Sequence, residues 1–248
     1  MLALLIVAAF LAGLVDSIAG GGGLITVPAL LAAGLDPRVA LATNKGQAVW
    51  GACASFARFL RGGRVDRERA PWSFVAAALG SVLGARLVLV LDPKLLRPVV
   101  LVLLLLASGL AFVRKPAAAT RAGWVAAAPR AAALAVGLGL GAYDGFFGPG
   151  TGTFLLLIYA HAFGDDLVSA SGNAKVANFA SNLAAFAAFS LSGSVRWELA
   201  LPMGAAQVAG AYVGSGLALK RGAGLVRVVA VVISLALAAR LFWQMRAG

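Results

Sequence analysis

Residues 2–15 carry no charged side chain, and the run ends in "DSIAGGGG" (16–23) before apolar residues resume as far as Gly34. The figure returns over 131–163, where "YDGFFGPGTGTF" (143–154) interrupts a second apolar segment. Each interrupted segment is followed by three apolar runs, near 38–58, 72–91 and 95–113 in the first case and 168–191, 199–219 and 225–243 in the second. Runs that approach or reach ~20 apolar residues suit a ~30 Å hydrocarbon layer. The interrupted segments do not: at ~1.5 Å per residue, the stretch before each aspartate covers about 20 Å and the stretch after the glycines about 16 Å. Two half-helices joined by a glycine tip inside the bilayer fit these lengths, and unpaired backbone at that depth needs protein or a cavity around it.

The two series are copies of one unit. A shift of 130 aligns Asp36 with Asp166, Lys45 with Lys175, Phe56 with Phe186, Gly80 with Gly210, Gly84 with Gly214 and Arg97 with Arg227. A shift of 128 aligns Asp16 with Asp144, Gly20 with Gly148 and Gly22 with Gly150. The expected fold is an all-α polytopic membrane protein of two homologous repeats, each a Gly-interrupted, re-entrant or crossing, helix pair plus three transmembrane helices. The repeats cover 1–118 and 131–248, and 119–130 is the linker.

Composition supports this class. The chain is 61% hydrophobic and 12% charged over 248 residues, too apolar for a soluble domain to cover. The net charge of +12 sits in short loops, clustered at Arg58–Arg69 and Arg114–Arg130, as membrane topology requires, and it does not indicate nucleic acid. Crossing segments give eight spans and parallel repeats; re-entrant segments give six spans and inverted repeats. Both place twelve Lys and Arg inside and six outside, so charge does not choose, whereas the short segments favour inversion. Cys53, the one cysteine, reads as a small packing residue, and nothing in the sequence calls for a cofactor or metal.

Of nine acids only Asp16 and Asp144, and of five lysines only Lys45 and Lys175, fall inside apolar segments. A charge at mid-bilayer costs ~2.5–3.5 kcal/mol, so two repeat-related pairs require a purpose. The glycines Gly21, Gly22 and Gly23, with Gly150 and Gly152, expose N–H groups where a half-helix begins and its dipole is positive, and Thr151 adds a hydroxyl. Asn44, Gln47, Asn173 and Asn178 lie near the lysines, as do Thr43, Asn182 and Gln207. The expected site binds a small anion between Lys45 and Lys175, with Asp16 and Asp144 as helix caps and proton carriers.

"DSIAGGGGLITVPALL", "ATNKGQ", "YDGFFGPGTGTF" and the blocks "GSVLGARL" and "GAYVGSGLAL" resemble the sulfite exporter TauE/SafE family over essentially the whole chain. The resemblance implies a multi-pass transporter of the bacterial inner membrane that carries sulfite, sulfonates or related sulfur anions. Protons and the lipid bilayer are its expected partners, and a homodimer is left open. An anion channel and a membrane-embedded enzyme are the competing classes. The sole histidine, His161, has no nucleophile or metal-ligating partners at useful spacing.

Overall fold

The computed structural model describes residues 1–110 and 121–247, and the described residues are helical with no strand. Arg114 and Lys115, part of the second basic cluster, lie outside them. The first series is α1 (Leu2–Ala19), α2 (Gly23–Ala32), α3 (Pro37–Arg61), α4 (Ala70–Val90) and α5 (Pro93–Leu110). A short helix, α6 (Gly123–Ala127), follows in the region expected as linker, with the Trp124 ring edge-on to Phe163. The second series is α7 (Pro129–Phe146), α8 (Thr151–His161), α9 (Leu167–Leu191) and α10 (Trp197–Ala247). α10 is broken at Gly222, whose φ of 68° and ψ of −158° no helix contains.

Local chemistry sets the helix ends. Asp36 caps α3 by accepting from Arg38 N, with Pro37 pre-set for the first turn, and Asp166 caps α9 by accepting from Val168 N and Ser169 N. The breaks after α1 and α7 demand glycine: Gly20 and Gly21 have φ of 80° and 93°, and Gly148 and Gly150 have φ of 94° and 90°. Each break turns the chain back on itself. Leu5 and Ala9, early in α1, share one apolar cluster with Leu30, late in α2. Ala132 and Ala133 of α7 likewise share a cluster with Tyr159 and Ala160 of α8.

α3 and α9 lie side by side and antiparallel at the centre. Asp66 N, just past the end of α3, donates to Asn173 Oδ1 near the start of α9 at 2.8 Å. Arg196 N, just past the end of α9, donates to Thr43 Oγ1 near the start of α3 at 3.1 Å. The flanking pairs are crossed: α1 runs parallel to α10, and α7 parallel to α4. Their backbones touch through small residues. A Cβ on Gly80 or Gly84 would stand 2.2 or 2.1 Å from the carbonyl oxygen of Leu138 or Ala142. One on Gly210 or Gly214 would stand 2.0 or 2.3 Å from that of Phe10 or Leu14.

The outside of this bundle is apolar and its centre polar. Leu4, Val7 and Leu11 of α1 and Leu79, Leu83 and Leu87 of α4 are exposed, while Thr43, Asn44, Lys45, Gln47, Asp144 and Lys175 are buried. α1 and α4 are long and apolar enough to cross a membrane by length and composition, with mean hydropathy 2.4 and 2.0. α3 is long enough but carries Arg38, Lys45, Arg58 and Arg61. Cys53 departs from expectation: it is exposed on the outward face of α3 and packs no core.

Candidate functional site

Both glycine tips reach the middle of the molecule and touch. A Cβ on Gly20 would lie 2.2 Å from Gly152 C and Thr153 N, and one on Gly23 would lie 3.1 Å from Pro149 Cα. Between the tips and the α3–α9 pair is a cavity of about 30 Å³, room for about two waters. Its lining includes Asp16, Lys45, Asp144, Asn44, Asn178 and Gln207, with Gly21, Gly23, Gly150 and Gly152.

Lys45, Lys175, Asp16 and Asp144 form two ion pairs, each joining one series to the other. Lys45 Nζ lies 2.9 Å from Asp144 Oδ2, and Lys175 Nζ lies 3.0 Å from Asp16 Oδ2. Lys175 also donates to the Asp16 carbonyl oxygen. Both lysines and Asp144 are almost wholly enclosed; Asp16 retains 15% side-chain exposure. The pairs differ in their surroundings. Asp144 Oδ2 also accepts from Ser181 Oγ and, at 3.2 Å, from Asn182 Nδ2. Asp16 Oδ1 accepts from Gly22 N at 3.3 Å and lies 3.2 Å from where a Gly152 Cβ would stand, so this carboxylate sits against the starts of both α2 and α8. The positive ends of the two half-helices already face an anion, and it is the protein's own.

Two amides are oriented by their neighbours. Asn44 Oδ1 accepts from Thr26 Oγ1 at 2.6 Å and Gln47 Nε2 at 3.1 Å, which leaves the Nδ2 group of a cavity-lining residue as the free donor. Asn178 Oδ1 accepts from Asn182 Nδ2 at 2.8 Å, leaving its Nδ2 near Gly152. Gln207 Oε1 is buried without a donor. Gln47 Oε1 is likewise buried without a donor, so the donors the centre offers an oxyanion are Asn44 Nδ2 and Asn178 Nδ2, beside the two ammonium groups.

Asn173 does not join them. It bonds Asp66 N and donates to Asp165 Oδ2 at 2.7 Å, in a separate cluster where Arg69 bridges Asp66 and Asp165. Burial pushes the Asp66 carboxyl up, but the Arg69 backbone N–H and guanidinium outweigh this and hold it below its ordinary 3.8. Thr151 Oγ1 is spent on Gly148 O at 2.8 Å, capping its own turn. Thr26, Ser181 and Gly148 are site residues that sequence reasoning missed. Thr26 falls on the first turn of α2, and Ser181 immediately precedes Asn182, already placed near the lysines, but at six residues from Lys175, about 240° of helix, its spacing gave no signal.

An apolar exterior around a buried charge centre at two broken helices defines an integral membrane protein of the transporter class. Residues 5–241 match the sequence profile described as sulfite exporter TauE/SafE, and the chain belongs to that family. It is 41% identical over 242 residues to a probable membrane transporter protein of a Sinorhizobium species, covering 97% of this chain and 92% of the relative. It is 39% identical over 248 residues to one of Haemophilus influenzae, with coverage of 98% and 95%. With the probable membrane transporter protein YfcA of Escherichia coli the identity is 37% over 244 residues, with coverage of 98% and 90%. No solved structure matches the chain significantly.

Proposed function

We propose that the protein is a proton-coupled secondary transporter of small sulfur oxyanions, such as sulfite or a sulfonate, across a bacterial inner membrane. The observation that carries this reading is the pair of buried, exchanged ion pairs, Lys45–Asp144 and Lys175–Asp16, at the meeting point of two glycine tips. Two ammonium groups and two carboxylates sum to zero, so an added anion leaves the site negative in a medium of low dielectric. A proton on a carboxylate restores balance and releases an ammonium towards the anion. Binding and protonation are then one event, the requirement for coupled transport.

Antiparallel α3 and α9, parallel α1–α10 and α4–α7 pairs and back-turned tips support two inverted repeats with re-entrant hairpins, a plan in which rocking around a fixed central site alternates access. The family membership supports the sulfur-anion class. The test is uptake of radiolabelled sulfite by purified protein in liposomes. Lys45→Ala and Lys175→Ala should each abolish it, through loss of about 2–5 kcal/mol from a desolvated charge pair. Lys→Arg should serve poorly because a planar fork replaces a compact ammonium. Full activity in both alanine variants would place the site elsewhere.

A further inference from the structure

The two aspartates occupy corresponding positions but different surroundings. Asp144 Oδ2 is held by three donors, Lys45 Nζ, Ser181 Oγ and Asn182 Nδ2, and the side chain is 2% exposed. The first series has no such set: at the shift of 130, Ser181 corresponds to Gly51 and Asn182 to Ala52. Asp16 keeps one charged partner, Lys175, and one long backbone bond from Gly22 N, and it is the more accessible of the two at 15%. Among the described residues the charged groups around it are Lys175 from α9 and, across the cavity, Lys45 from α3 and Asp144 from α7. The faces of α2, α8 and α10 that line the cavity beside it contribute only neutral groups. One of these, Gln207 Oε1, is a buried acceptor with no donor.

Asp16 also holds the position an anionic substrate would take, against the starts of α2 and α8 and beside Lys175. A carboxylate there competes with substrate for the same positive field; a neutral carboxyl does not. Protonating Asp144 would weaken three hydrogen bonds that favour its charged form and free only a lysine that Asn182 Oδ1 also holds, at 3.3 Å.

We propose that Asp16 alone carries the coupling proton, that Asp144 is the permanent counter-ion of Lys45, and that the site takes up one singly charged oxyanion with each proton. The proposal rests on the reading of the cavity as a proton-coupled anion site. In the step, an O–H bond forms on Asp16, its ion pair with Lys175 is lost, and Lys45, Lys175 and Asp144 leave a net charge of +1. A monoanion brings the site to zero; a dianion does not. The coupled cycle is therefore electroneutral.

The experiment uses the full chain in proteoliposomes with radiolabelled sulfite in mildly acidic buffer, where the probe is singly charged, after subtraction of protein-free vesicles. A pH gradient and a potassium–valinomycin potential are imposed separately. Wild-type uptake should rise at least tenfold with the pH gradient and change less than twofold with potential. Asp16→Asn should lose the pH-driven rise, so that whatever sulfite exchange it keeps no longer responds to the gradient, and Asp16→Glu, which restores the carboxyl, should recover the rise. Asp144→Asn should lose both exchange and driven uptake; Asp144→Glu, which keeps the charge, should recover the pH-driven rise and so separate loss of function from loss of fold. A wild type indifferent to the pH gradient would overturn the proton-coupled reading itself. A pH-driven rise that persists in Asp16→Asn, or wild-type flux that follows the potential, would overturn this proposal and leave that reading standing.

Discussion

Arg69 shows what a buried charge does outside the central cavity. Its guanidinium joins Asp66 on its own loop to Asp165 beyond α8, lies over the Phe163 ring at 4.9 Å and is 8% exposed. Removing it strands two carboxylates. Arg69→Met should destabilise the detergent-solubilised protein by about 3 kcal/mol, at the low end for breaking a buried pair because water reaches Asp66, and a thermal melt measures it. Asp66 adds a pH signature. Its folded-state value lies below the unfolded 3.8, so its contribution is complete above that value and disappears as pH falls through the folded one. The wild-type melting temperature should fall below about pH 4, and Asp66→Asn should flatten part of that fall. The same loop explains why Asn173 misleads in sequence. It stands two residues, about 200° of helix, from Lys175 and so faces away from it, whereas Asn178 at three residues returns to the lysine's side. Spacing alone also cannot tell that Lys45 meets the aspartate of the other series.

The glycines of α4 and α10 are contact points between backbones, and their neighbours supply an internal control. Gly84→Leu and Gly214→Leu should each cost about 1–3 kcal/mol or more, since even a Cβ meets a carbonyl oxygen at 2.1 or 2.3 Å. Gly139→Ala, with nothing within 4 Å, should be neutral or stabilising by up to ~1 kcal/mol through helix propensity. Melting curves of the three variants test this, and equal losses in all three would refute backbone contact as the cause. The element order was legible because apolar run length and glycine interruptions are written locally. α6 was not, because five residues of "GWVAA" make too short a pattern, and their order comes from Trp124 packing on Phe163 and from Ala122 N donating to Ala162 O at 2.9 Å.

Charge distribution and helix direction together make a topology prediction. With hairpins that turn back and α3 antiparallel to α9, the basic α3–α4 connection faces the cytoplasm and both termini face outward. A reporter active only outside the cytoplasm should work at the C-terminus, and a cysteine at Arg61, in a Cys53→Ala background, should react with impermeant thiol reagents only from the inner side. Opposite results would restore the eight-span arrangement that the sequence leaves open.

The crossed packing of α1 on α10 and α7 on α4 has a further consequence, for ancestry and assembly. A lone half would present two uncovered glycine seams, one on its first helix and one on its fourth, each complementary to the other seam on a second copy. A half inserted in one orientation cannot cover its own seams, so a single-copy ancestor would need a partner of opposite orientation. The seams, not the tether, hold the halves together. Residues 1–118 and 119–248 made as separate chains in one cell should therefore co-purify and restore uptake, while either made alone should be degraded.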